Sequence, residues 1–179
     1  SRIPAEEQLF LKAVTKTVTE INKIKEVSES RAGFQDSLIF ATHLMILQDP
    51  GLINGILDKI KKGHKNARWA VHVVLGGYID KFEKIDSQAT RDKAADLRDL
   101  YNRLMAAMED SGPVLEEVSI EAGVVLVAHE FLPSFLMSVK PGQASALAMD
   151  TGGRTSHVAI LARSLQIPAV SGLRNVAAL

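Results

Sequence analysis

The chain changes character at Ser111-Gly112-Pro113, and no single repeating pattern runs across that point. Residues 1–110 hold 17 of the 21 Lys and Arg and 16 of the 21 Asp and Glu. Apolar residues recur there at steps of three and four, the pattern of amphipathic helices with solvated outer faces. After Pro113 charges thin out, and glycines, small residues and short β-branched runs take over, which predicts an α/β segment with buried strands. The expected fold class is α plus α/β, with a helical-hairpin subdomain over 1–112 and a small α/β domain over 113–179.

In the first part, Leu11, Val14, Val18 and Ile21 place one stripe on a helix that begins after Pro4 and ends near Arg31 to Gly33. Residues 35–48 are apolar on more than one face, so this second helix is expected to bury one side and offer a contact strip on another. Asp49-Pro50-Gly51 breaks the chain, and a short helix over 52–62 stops at Gly63, read as a left-handed cap. A fourth helix carries Val71, Val74, Tyr78, Phe82 and Ile85, with Gly76-Gly77 expected to serve close approach or a bend. The fifth runs from Arg91 to Met108. In the second part the order is strand (123–128), helix opened by Pro133, strand (145–149), glycine turn, helix, and a strand starting at Pro168.

Composition removes several classes of function. Formal net charge is 0, which leaves no basic excess to neutralise a phosphate backbone and argues against a nucleic-acid partner. Cysteine is absent, so disulfides, thiolate metal sites and cysteine nucleophiles are excluded. Apolar runs such as Leu44 to Leu47 and Val124 to Ala128 fall far short of the roughly 20 residues of a membrane helix. The start Ser1-Arg2-Ile3-Pro4 has neither Met nor an apolar signal core, and is read as that of an excised or tag-trimmed fragment; the expected location is the cytoplasm.

The stretch that carries chemistry is 151–172, TGGRTSHVAILARSLQIPAVSG. Gly152 and Gly153 let backbone approach a bound group, and Thr155 or Ser156 can cap a helix that begins at or beside His157. An imidazole so placed sits beside unpaired N–H groups and the positive end of a helix dipole, where an anion is held. Arg154 can add charge-assisted hydrogen bonds, and a neutral ring nitrogen is nucleophilic because free histidine titrates near about 6.5. These parts suit phosphoryl transfer to His157, against the plainer alternative of a capping or packing histidine. No Gly-Lys-Ser/Thr follows the glycines, so the loop is not a nucleotide P-loop.

Gly152-Gly153-Arg154-Thr155-Ser156-His157, with Ala159-Ile160, Ala162-Arg163-Ser164-Leu165 and Ile167-Pro168-Ala169, resembles the phosphohistidine signature of phosphoenolpyruvate-utilising enzymes. Ile39-Phe40, His43-Leu44-Met45, Asp49-Pro50 and Ala94-Ala95-Asp96-Leu97-Arg98-Asp99 further resemble the helical docking domain of the Enzyme I branch, which the dikinases lack. The resemblance implies that the α/β unit is a phosphohistidine domain, incomplete here, with His157 as acceptor and Gly152, Gly153, Arg154, Thr155 and Ser156 shaping the phosphate site. It implies transfer from phosphoenolpyruvate to the phosphocarrier protein HPr, the first step of the bacterial phosphotransferase system. Mg²⁺ and phosphoenolpyruvate would be bound by a C-terminal domain of the same longer chain, outside this fragment, which would itself be monomeric and hold no metal. Docking of HPr is assigned to Phe40, His43, Leu44, Met45 and Leu47. The alternatives are the swivelling domain of a dikinase or phosphoenolpyruvate synthase, and a non-catalytic regulatory docking module.

One departure stands out. Enzyme I commonly carries a threonine, three residues after the proline of its Leu-x-Pro-Ser segment, that can hydrogen-bond the active histidine, and Leu136 occupies that place here. Ser134, Thr155 or a backbone carbonyl are the candidates to replace the contact. Arg163, six residues beyond His157, is assigned to an ion pair or interdomain contact, and Asp150 to bracing the turn. His64, His72 and His129 show no metal-ligand spacing with carboxylates.

Overall fold

The computed structural model describes residues 2–109 and 120–178, so the expected boundary at 112 lies outside the described residues. Five helices come first: α1 (Ile3–Ala32), α2 (Phe34–Leu47), α3 (Pro50–Lys61), α4 (Ala67–Glu83) and α5 (Gln88–Met108). Then follow β1 (Val124–Ala128), α6 (Pro133–Ser138), β2 (Ala144–Met149), α7 (His157–Ser164), β3 (Ala169–Val170) and a 3₁₀ turn at Val176–Ala178.

The helices start where short polar side chains can take orphan N–H groups. Asp49 accepts from Leu52 N–H at 2.8 Å to open α3, Asn66 accepts from Trp69 N–H at 2.7 Å to open α4, and Ser87 caps α5 through Thr90 N–H. Gly33 ends α1 at φ 98°, a value a side chain would strain, and its N–H bonds the carbonyls of Ser28 and Glu29. The α1 seam differs from the sequence reading: Phe10, Ala13, Thr17, Ile21, Ile24 and Ser28 are buried, while Leu11 is exposed. Small Ala13, Thr17 and Ser28 let α2 and α5 close on both sides of the long helix, which rotates the buried line away from Leu11.

Two glycine expectations are corrected. After α3 the left-handed residue is His64 (φ 49°), not Gly63. Glycine is required at 63 for close approach instead, because a Cβ there would lie 2.5 Å from the Lys59 carbonyl oxygen. At Gly76 and Gly77 a Cβ would meet nothing within 4 Å among the described residues, so of the two expected uses close approach is not the one they serve there.

β1, β2 and β3 form a parallel sheet in that order, with α6 and α7 as its crossovers. The strands are less buried than their composition predicts. Val125 and Val127 point to solvent, while alternate residues Leu126 and Ala128 pack against the core, because the helices cover one face of the sheet.

The helical and α/β parts share one apolar cluster, and buried polar contacts fix their seam. Arg31 at the end of α1 donates to the carbonyls of Met137 and Val139 at 3.0 and 2.9 Å, and burial pushes its guanidinium below its ordinary range. Asp99 on α5 accepts from the N–H and hydroxyl of Ser134 at 3.1 and 2.6 Å, tying down the first turn of α6. Arg98 grips Glu130 through two bonds of 2.9 and 2.8 Å and also pairs with Glu83, and Ser164 on α7 donates to Asp36 on α2. These contacts dock α6 on α1 and α5 and the last residue of α7 on α2.

Candidate functional site

Met149 ends β2, and Asp150-Thr151-Gly152-Gly153 turns the chain toward α7. Gly152 adopts φ 96°, a left-handed conformation that would strain any side chain, so the turn requires glycine. Ser156 is the cap: its N–H reaches the Gly153 carbonyl at 3.1 Å and its Oγ accepts from Ala159 N–H at 3.3 Å. His157 is therefore the first residue of α7, where the leading N–H groups have no carbonyl within the helix to bond. Arg154 and Thr155 are exposed beside it.

His157 does not stand alone. Its Nδ1 lies 3.1 Å from Oδ1 of Asp96, a residue of α5 whose side chain is 4% exposed, while the His157 side chain is 32% exposed. The hydrogen bond to Asp96 raises the imidazole above its ordinary range; burial opposes the shift, and the charges of Asp96 and Asp92 add to it. Burial pushes the Asp96 carboxyl up, but the hydrogen bond to His157, the close polar contact with His43 and the charge of both rings outweigh it and leave it below its ordinary range. A carboxylate at Nδ1 holds the ring proton there and leaves the Nε2 lone pair for chemistry.

Asp96 thus takes the position for which Ser134, Thr155 and a backbone carbonyl were the candidates. Leu136 is wholly buried in the core, and Ser134 is committed to Asp99. The residue was missed because Asp96 reads as one more charge in an ionic helix. A signal was present: Asp96, Leu100 and Leu104 lie at steps of four, which puts a carboxylate in line with an apolar stripe.

The ring opens into a cleft of about 460 Å³ between α5 and the turn, lined in part by Asp92, Arg98, His129, Thr151, Gly152 and Ser156. Asp150 does not brace the turn it precedes: its side chain reaches out to Val176 and His129 instead. Its Oδ1 accepts from Val176 N–H at 2.7 Å, which chiefly holds its carboxyl below the ordinary range, with a smaller contribution from His129 at 3.3 Å. Arg163 donates to the carbonyl of Arg154 at 3.3 Å and so ties the glycine turn to α7, and no ion pair joins it among the described residues.

The expected docking strip is corrected as well. Phe40, His43 and Leu47 are buried, because α2 packs against α1 and α5 along that side. Leu44 is half-buried and Met45 is 74% exposed, so only these two of the five reach the surface. Met45 lines a mainly apolar groove of about 470 Å³ with Thr42, Ile46, Tyr78 and Phe82, and Asp96 lies at its base. Among the described residues no three His, Asp or Glu side chains gather to hold a metal, and no helix is long and apolar enough to cross a membrane.

Residues 1–93 match the family described as "PEP-utilising enzyme, N-terminal", and residues 120–179 match "PEP-utilising enzyme, mobile domain". The phosphoenolpyruvate-protein phosphotransferase of Bacillus sp. (strain S) is 37% identical over 179 residues, covering 98% of this chain and 30% of that protein. That of Geobacillus stearothermophilus is 38% identical over 169 residues, covering 93% and 28%. This chain therefore spans about 30% of the length of such relatives. A solution structure of an Enzyme I protein superposes with a TM-score of 0.72 at 38% identity, covering 98% of this chain and 71% of that one. The N-terminal domain of "Enzyme 1 - Nitrogen" gives 0.64 at 23% identity over 96% and 69%, which shows the fold alone.

Proposed function

The chain belongs to the phosphoenolpyruvate-utilising enzymes, and on that premise we propose that His157 receives a phosphoryl group and passes it to an HPr-type phosphocarrier, as the N-terminal part of a phosphoenolpyruvate-protein phosphotransferase. The observation that carries this reading is the Asp96–His157 pair at the head of α7. Among the described residues Asp96 occupies Nδ1 and no side chain is bonded to Nε2.

In the forward step the Nε2 lone pair attacks phosphorus and an Nε2–P bond forms. The bond from phosphorus to the enol oxygen of phosphoenolpyruvate breaks, and that oxygen leaves with the electron pair. In the second step a carrier imidazole attacks, the Nε2–P bond breaks, and Nε2 recovers its lone pair. Through both, Asp96 keeps the Nδ1 proton in place and balances the positive charge that the ring gains when Nε2 is phosphorylated. The first N–H groups of α7 and the Gly152 turn face the incoming anion, and Arg154 adds positive charge nearby. The residues of this chain offer no cluster for Mg²⁺ among those described, so no step is assigned to the metal here.

Phosphoenolpyruvate and Mg²⁺ belong, on this reading, to a further domain of the same longer protein, in the cytoplasm. The carrier seats on the Met45 groove, which shares Asp96 with the phosphoryl site and so places docking and chemistry side by side. The test is intact mass after incubation with a phosphorylated HPr-type carrier. A phosphoryl adduct that is lost in mild acid and absent from His157→Ala supports the reading. A folded chain that takes up none overturns it.

A further inference from the structure

Behind the carboxylate that holds His157 lies a second histidine. His43, on α2, is wholly buried, and its Nε2 lies 3.1 Å from Oδ1 of Asp96, the same oxygen that His157 Nδ1 meets at 3.1 Å. One carboxylate oxygen, itself nearly inaccessible, is thus shared by two imidazoles from different elements. Neither ring nitrogen of His43 meets full hydrogen-bond geometry with a described residue, so the His43–Asp96 approach is a close polar contact made off the ideal axis. The ring of Phe40 packs edge-on against His43 at a centroid distance of 5.6 Å and limits its rotation.

An unpartnered polar ring in an apolar core is costly unless it is used. Asp96 is the group that has use for it. Burial alone would drive this carboxyl toward its neutral form, and a neutral Asp96 would present O–H to Nδ1, moving the His157 ring proton to Nε2 and ending its nucleophilicity. The charged and titratable groups facing the cluster are few: His43 from α2 and His157 from α7 meet Asp96, and Asp92 acts on His157 from one turn earlier in α5. Of the two contacts that hold Asp96 ionised, only His43 stays constant through a reaction in which the His157 ring changes charge.

We propose that His43 is a positioning residue: through the shared Oδ1 it keeps Asp96 ionised and aimed, and so sets the Nδ1–H tautomer of His157. This rests on the phosphoryl-transfer reading for its purpose, but not for its test. Because α2 also presents Met45 to the groove, His43 links the helix expected to meet the carrier to the reactive ring.

The experiment uses the 179-residue chain in two variants, His43→Met, which fills the space without a donor, and His43→Gln, which keeps one. The Asp96 carboxyl is titrated by its ¹³C resonance. The expected result is a midpoint raised by about one pH unit in His43→Met, which is a tenfold change, and a much smaller rise in His43→Gln. Phosphoryl uptake by His43→Met should slow by a similar factor. An unmoved Asp96 midpoint in folded His43→Met overturns the proposal. Should that variant fail to fold, His157→Ala supplies the second arm, because its substitution lies at the rim of the site. The ¹⁵N signals of the His43 ring, read at about pH 9, above the ordinary imidazole range, must then move when Oδ1 loses its other partner. Static signals overturn the proposal equally. Neither readout needs a phosphoryl donor, so wild-type chain that accepts no phosphate would count against the transfer reading and leave this test standing.

Discussion

Oδ1 of Asp96 lies 3.1 Å from Nδ1 of His157, so a carboxylate from the helical part orients a ring carried by the α/β part. The two residues are 61 positions apart, and the site exists only when both parts are docked.

Asp96→Asn tests that relationship with little change in volume. An amide can turn its NH₂ toward Nδ1, which places the His157 proton on Nε2 and blocks attack. Uptake of a phosphoryl group from phosphorylated carrier is expected to fall about 100-fold or more. The check is the initial rate of the acid-labile adduct; a rate within a factor of a few of wild type would remove Asp96 from the mechanism.

Opposite pH trends are expected for stability and chemistry. The folded value of His157 is raised, chiefly by the hydrogen bond to Asp96. Its contribution to stability is therefore fully present below the unfolded value of about 6.5 and fades as pH rises through the folded value. Asp96 is depressed, so its share is present above its ordinary range and is lost as pH falls through its folded value. Urea melts of wild type and His157→Ala should show a stability gap that narrows as pH rises above about 6.5. Phosphoryl uptake needs the neutral ring and should rise over the same interval, with a midpoint above about 6.5 that Asp96→Asn brings back down. A gap that stays constant across that window would contradict the pairing.

Helices and strands were legible because their signals are local. Ser156 caps where a short polar side chain precedes an apolar run, and the glycine turn before His157 fixes the start of α7. What sequence could not supply was the partner of each polar group across the seam. Asp96, Asp99 and Arg103 look like solvated charges of an ionic helix, yet all three are buried: Asp96 meets His43 of α2 and His157 of α7, Asp99 meets Ser134 of α6, and Arg103 faces Glu20 of α1. Packing of α2 against α1 and α5 likewise puts Phe40, His43 and Leu47 in the core although α2 reads as apolar on several faces. Periodicity shows that a helix has apolar sides, not which neighbour each side meets. Leu136 illustrates the limit: the reading saw that a side chain was missing from the ring, but its substitute lies on a different element.

Asp99 carries the seam itself. It accepts from Ser134 twice and from Arg103 Nε at 3.1 Å, while Arg103 is wholly buried and otherwise reaches Glu20 at 3.5 Å. Asp99→Ala leaves a guanidinium under-paired in the core and the first turn of α6 without its acceptor. A loss of about 3–5 kcal/mol is expected, read as a lower urea midpoint. A loss below about 1 kcal/mol would mean that water or Glu20 compensates.

Met45 separates docking from folding. At 74% exposure its side chain supports no core, so Met45→Ser should leave stability within about 0.5 kcal/mol of wild type. If the carrier seats in the groove that Met45 lines, truncating it removes an apolar anchor worth about 1–2 kcal/mol, a weakening of Kd by about 5- to 30-fold. The partner surface is apolar around Met45 and Phe82, and the whole chain has formal net charge 0. Binding should therefore persist when salt is raised to about 0.5 M, where interactions between exposed charges are largely screened. Calorimetry at low and high salt on wild type and Met45→Ser checks both statements. An affinity that collapses with salt but ignores Met45 would move the docking face to the charged flanks of the cleft, where Arg91 pairs with Asp86 beside His157.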